Sequence, residues 1–188
     1  MNLNFTPKTI PAESQPWAEN LKKLLEKCKF SVPFQVSIEA VYHSHDKLDW
    51  VIEGFVDPDD NLLMSFYDIK FEDSSDKYQE GQSLPFRIGG AGCELELISE
   101  ASEDEEDLFM MISEGPAFAS YRFTGIIRKI VRMADTSLMI TLAVAKDEDQ
   151  EDVLFPVYVN KDFVPEECNF KKGATVSLLA VLGGFMSI

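Results

Sequence analysis

His43 and His45 stand one residue apart in YHSHDKLD, with Asp46 next and Asp49 close behind. These are the residues whose types and spacing come nearest to a metal or acid–base site. Zinc takes three or four N, S or O ligands with a supporting second shell. The chain has 2 histidines in all, so a finished catalytic zinc site would lack donors. The period-two pattern on both sides instead makes this stretch the turn of a hairpin. The acidic turn DPDDN offers Asp57, Asp59 and Asn61 at alternate positions, the start of a calcium loop. Leu62 and Asp68 then stand where an EF-hand needs Gly and Glu, and the flanks read as strands. DEDQE at 147–151 fails in the same way.

Nucleophilic and phosphate chemistry find no support either. There is no G-x-S-x-G, and GGAG at 89–92 lacks both the G-K-[ST] and the following helix of a phosphate loop. Cys28, Cys93 and Cys168 are far apart and odd in number, which is neither a disulfide framework nor a zinc ribbon. They read as free thiols of a reducing compartment, and a cytoplasmic location is expected. No catalytic, cofactor or metal residue is expected, and the chain reads as a non-enzyme.

Charge is the strongest global signal. The net charge is -16 over 188 residues, with 33 acidic and 17 basic side chains. A field of that sign repels polyanions and draws cationic surfaces. The expected partner is a basic protein, met by Glu103, Asp104, Glu105, Glu106 and Asp107 in the run SEASEDEED, with Asp57, Asp59 and Asp60 at a loop tip. Inhibitors, immunity-type proteins and nucleic-acid mimics have this character. One basic stretch opposes the field, YRFTGIIRKIVR. Arg122, Arg128 and Arg132 share one strand parity, with Lys129 among them, while Phe123, Ile127 and Val131 take the inward parity. Together with Lys171 and Lys172 they form the alternative face, for single-stranded nucleic acid or a small ligand. Tyr121 and Phe123, the aromatic groups suited to stacking, fall on the inward side. Pairing of these arginines with the acidic run is the competing expectation. No membrane role is expected: the longest apolar run, VSLLAVLGGFMSI, is too short to span a bilayer.

The elements that must position these groups are mostly strands. Trp17, Leu21, Leu24, Leu25 and Cys28 form one stripe of a helix after Pro16, so residues 1–33 are expected to be an arm and an amphipathic helix. From Phe34 the pattern alternates, with about five short strands before residue 99 and GGAG counted among the turns. The second half echoes the first: Leu48 aligns with Leu138, Val56 with Val144, Tyr67 with Tyr158, Tyr78 with Phe170, Gly81 with Gly173 and Leu84 with Val176. The expected fold is mainly β, with two small antiparallel barrels from an internal duplication, spanning 34–98 and 108–188 on either side of an acidic linker at 99–107. NKDFVPEECNF, between the third and fourth strands of the second half, resembles in position the connecting helix of the five-stranded oligonucleotide/oligosaccharide-binding (OB) barrel.

Overall fold

The computed structural model describes residues 33–43, 50–56, 62–70, 77–100, 109–114, 119–134, 137–147, 149–165 and 170–187. The expected helix over 16–30 lies outside them. Within them the chain is mainly β: β1 (Phe34–His43), β2 (Trp50–Val56), β3 (Leu63–Asp68), β4 (Ser83–Ser99), β5 (Met110–Ser113), β6 (Ser120–Arg132), β7 (Leu138–Lys146), β8 (Asp152–Val159) and β9 (Thr175–Met186). A 3-10 turn, Lys161–Phe163, falls within the segment that resembles the OB connecting helix. No helix among these residues is long and apolar enough to cross a membrane.

All nine strands belong to one sheet. Its ladders can be followed round two circuits. One runs β1–β2–β3–β9–β4 and back to β1. The other runs β6–β7–β8–β4–β9 and back to β6. The long strands β4 and β9 serve both, and the core follows the sharing: Phe66, Phe86, Ile38 and Ile52 lie in one cluster with Phe123, Phe155, Ile127 and Leu178.

The two circuits agree pair by pair. Phe34↔Phe86 and Ser37↔Ser83 have their counterparts in Phe123↔Leu178 and Ile126↔Thr175. Val51↔Tyr67 matches Met139↔Tyr158. A bulge follows Ile38 in β1 and Ile127 in β6. Gly81 and Gly173 both hold positive φ, 78° and 90°. Each donates its N–H to the carbonyl of the residue before the bulge, Ile38 or Ile127, at 2.7 Å. Such a backbone conformation favours glycine.

Three sequence expectations change here. GGAG is not a turn: SLPFRIGG and CELELIS are one 17-residue strand. Its glycines allow close approach. A Cβ at Gly92 would meet Leu178 Cδ1 at 2.8 Å and Val159 Cγ2 at 2.9 Å, and one at Gly184 would meet the Arg87 carbonyl oxygen at 2.7 Å. Gly92 pairs with Val159 and Gly184 with Asp68, so these two glycines occupy matching places where β4 and β9 cross into the other circuit. Leu138 corresponds to Trp50, each opening its strand opposite the end of the preceding one, rather than to Leu48. The bulges also break the alternation, because one extra residue reverses the facing of everything after it. Val131, read as inward, is 42% exposed, while Ile130 packs against the core.

Candidate functional site

β6 forms because TGIIRKIV is rich in β-branched residues, and its first half is held between β5 and β9. Cross-strand partners share a face, so the register sets out a row over four strands: Ile112, Arg122, Leu179 and Glu94. The next row on that face is Met110, Thr124, Ser177 and Glu96. Arg122 is therefore placed in reach of carboxylates on both sides. Its Nε donates to Glu114 Oε2 at 2.9 Å, one Nη donates to Glu94 Oε2 at 2.5 Å, and the other donates to Ser177 Oγ at 3.2 Å. The two carboxylates hold the guanidinium more firmly protonated than usual. Hydrogen bonding from Arg122 in turn draws Glu114 below the ordinary carboxylate range.

Arg128, just past the bulge, has its own acid. Its Nε and an Nη donate to Asp152 at 2.5 and 3.2 Å, and Lys146 Nζ donates to the same carboxylate at 2.6 Å. Burial works against the Asp152 charge, but the hydrogen bonds from Arg128 and Lys146 outweigh it and hold the carboxyl below its usual range. Lys129 and Arg132 are exposed, as are Lys171 and Lys172 on the connection before β9. The three arginines lie along β6, but the bulge after Ile127 breaks the parity they were expected to share, and two of them are engaged by Glu94, Glu114 and Asp152. Tyr121 and Phe123 are 6% and 0% exposed, so the aromatic groups of this strand face the core and not a ligand.

The acidic residues Glu103, Asp104, Glu105, Glu106, Asp107, Asp57, Asp59 and Asp60 lie outside the described residues, as does His45. His43 ends β1. Among the described residues no group of three His, Cys, Asp or Glu side chains is placed to hold a metal ion. Cys93 is partly buried, and its Sγ donates to the Leu179 carbonyl at 3.5 Å. Burial, and then the Glu94 charge, push the thiol up, so it is a poor nucleophile at neutral pH.

Two polar networks of the first circuit escaped the sequence reading, as did the buried Tyr158 hydroxyl of the second, which donates to Ser137 Oγ at 3.1 Å. Glu53 accepts from the Tyr42 hydroxyl and from Ser65 Oγ, each at 3.1 Å, and the Ser65 N–H donates to the Tyr121 hydroxyl at 2.8 Å. Burial first, then the charge and hydrogen bond of Glu53, raise the Tyr42 phenol above its ordinary value. Asp68, 7% exposed, accepts from the Tyr78 hydroxyl at 2.5 Å and from the Lys70 N–H at 2.9 Å. The only trace in the sequence was the alignment of Tyr78 with Phe170, which left a hydroxyl without a counterpart.

No family model matches the chain, and no curated protein does. Among solved structures, the cytoplasmic molybdate-binding protein ModG, crystallised with molybdate bound, is similar over 84% of this chain and 98% of that one. The TM-score is 0.43 and the identity 16%, a distant likeness from which no ligand is carried over.

Proposed function

We propose that the chain is a non-enzymatic binding protein made of two OB-like five-stranded barrels, the second a copy of the first, which recognises a cationic partner by charge. The duplication is supported by the matching registers, bulges and Gly81/Gly173 turns. Closure of each barrel is supported by the two circuits of ladders. Barrels of this class serve many ligands, so the ligand has to be argued from the groups on the surface.

The observation that carries the charge reading is the state of β6. Arg122 and Arg128, the cations that a phosphate backbone would need, are engaged by Glu94, Glu114 and Asp152. A net charge of -16 favours a basic protein surface. The acidic run Glu103–Asp107 and the loop tip Asp57–Asp60 are its proposed contacts. The widely spaced cysteines support a cytoplasmic setting.

The second reading is a single-stranded nucleic acid or small ligand on the Arg122–Arg132 strand. Exposed Lys129 and Arg132 favour it. A tagged pull-down from native lysate, with and without nuclease and at two salt concentrations, separates the two. Recovery of a basic protein that survives nuclease and is lost at high salt supports the first. Recovery that depends on nucleic acid overturns it in favour of the second.

A further inference from the structure

Glu53 differs from the other carboxylates described so far on the sheet surface. In β2, Ile52 and Val56 belong to the core, so Glu53 and Phe55 face outward by alternation, each half-buried. The Glu53 oxygens are held by neutral donors, Oε1 by the Tyr42 hydroxyl and Oε2 by Ser65 Oγ. Among the described residues no Lys or Arg pairs with it. Glu94 and Glu114, by contrast, are met by Arg122, and Asp152 by Arg128 and Lys146. The Glu53 charge is thus fixed in place but not compensated, and each oxygen, with one hydrogen bond, keeps acceptor capacity.

The surroundings say which cation suits it. Tyr42 is 37% exposed and Leu63 45%, and Leu63 lies opposite the partly exposed Phe55, so two rings and an aliphatic group flank the carboxylate on one face. The matching places in the second circuit hold Val131, Thr141 and Ala143, which supply neither charge nor ring. A guanidinium is planar, weakly hydrated, stacks on aromatic faces and meets a carboxylate with two parallel N–H groups, whereas an ammonium is a strongly hydrated point charge. A half-exposed pair is worth little alone, so the cation belongs to a larger body, which a net charge of -16 draws in. Resting on the charge reading above, we propose that Glu53 receives an arginine side chain of the partner protein, its two N–H groups on the two carboxylate oxygens and its flat face against the rings beside it.

The test uses the full chain and two labelled peptides of equal length and charge, Ser alternating with Arg or with Lys, read by fluorescence anisotropy at low salt. The wild type should bind the Arg peptide about fivefold more tightly than the Lys peptide. Glu53→Gln should abolish that preference with thermal unfolding unchanged. Glu39→Gln removes the same charge from the exposed bulge residue of β1. It should weaken both peptides alike and keep the preference. If the wild type shows no preference, or Glu53→Gln keeps it, the arginine site falls while the charge reading stands. If neither peptide binds, the charge reading falls and takes the site with it.

Discussion

The two circuits share a register but not a chemistry. At the place where the first puts Glu53 opposite Ser65, the second puts Thr141 opposite Pro156. Tyr42, whose hydroxyl reaches Glu53, corresponds to Val131, and the buried Asp68–Tyr78 pair corresponds to Val159 and Phe170. The difference is consistent down to single backbone donors. The Ser65 N–H is satisfied by the Tyr121 hydroxyl, reaching over from β6. Pro156 has no N–H, so the matching site needs no such partner. Small and large residues are exchanged as well: Val36 faces Gly54 in the first circuit, and Gly125 and Leu142 hold the matching places in the second. One backbone plan therefore tolerates polar or apolar pairs at the same positions, provided that each buried polar group finds a partner.

That comparison can be broken in graded ways. The largest effect belongs to the shared core. Ile38→Ala and Ile127→Ala, at matching positions and both 0% exposed, should each cost about 2–5 kcal/mol. Because β4 and β9 belong to both circuits, each should move one common urea transition seen by fluorescence and by circular dichroism. Two separable transitions, with only one moved by each variant, would show that the halves are independent units.

Next come the polar substitutions peculiar to the first circuit. Tyr78→Phe leaves Asp68 short of a donor and should cost about 1.5–3 kcal/mol, the range for hydrogen bonds to charged groups. The double variant Asp68→Val with Tyr78→Phe copies Val159 and Phe170, and should recover more than half of that loss. Failure of the double variant to recover would mean that the two sites are not equivalent. Tyr121→Phe strands the Ser65 N–H and should cost about 1–3 kcal/mol by denaturant unfolding. A neutral result there would remove the claim that this hydroxyl serves as a ladder partner.

The smallest effect is expected on the second circuit's surface. Arg128 and Asp152 side chains are 31% and 21% exposed, so Asp152→Asn should cost about 1 kcal/mol or less at pH 7. Because the folded Asp152 carboxyl is held below its usual range, its contribution is present above the unfolded value and is lost as pH falls through the folded one. The gap between wild type and Asp152→Asn should therefore close on acidification below about pH 4. A gap that widens there would reverse the assigned shift.

Much of this plan was legible in the sequence, and the failures have physical causes. The sequence pattern located β1–β3 and β5–β9, and the match of Gly81 with Gly173 was a true turn signal because both positions need positive φ. GGAG misled because glycine serves close approach of strands as readily as it serves turns, and the neighbours of Gly92 come from residues about 65 to 85 positions away. Val131 misled because the bulge reverses the alternation where Ile126, Ile127, Ile130 and Val131 offer apolar residues at both parities. The arginines of β6 were found as a cluster, but their partners were not. Glu94 reaches Arg122 across the shared strands and Asp152 reaches Arg128 across β7 and β8, which no local pattern records.

The central claim is that this surface selects cations and refuses polyanions. Fluorescence anisotropy of the full chain with a labelled lysine-rich peptide and, separately, a labelled single-stranded oligonucleotide, over the same salt series, tests it most directly. The account predicts peptide binding that weakens steeply with salt, and no oligonucleotide binding even at the lowest salt. Salt-sensitive oligonucleotide binding without peptide binding would contradict it and return the function to Arg122, Arg128, Lys129 and Arg132.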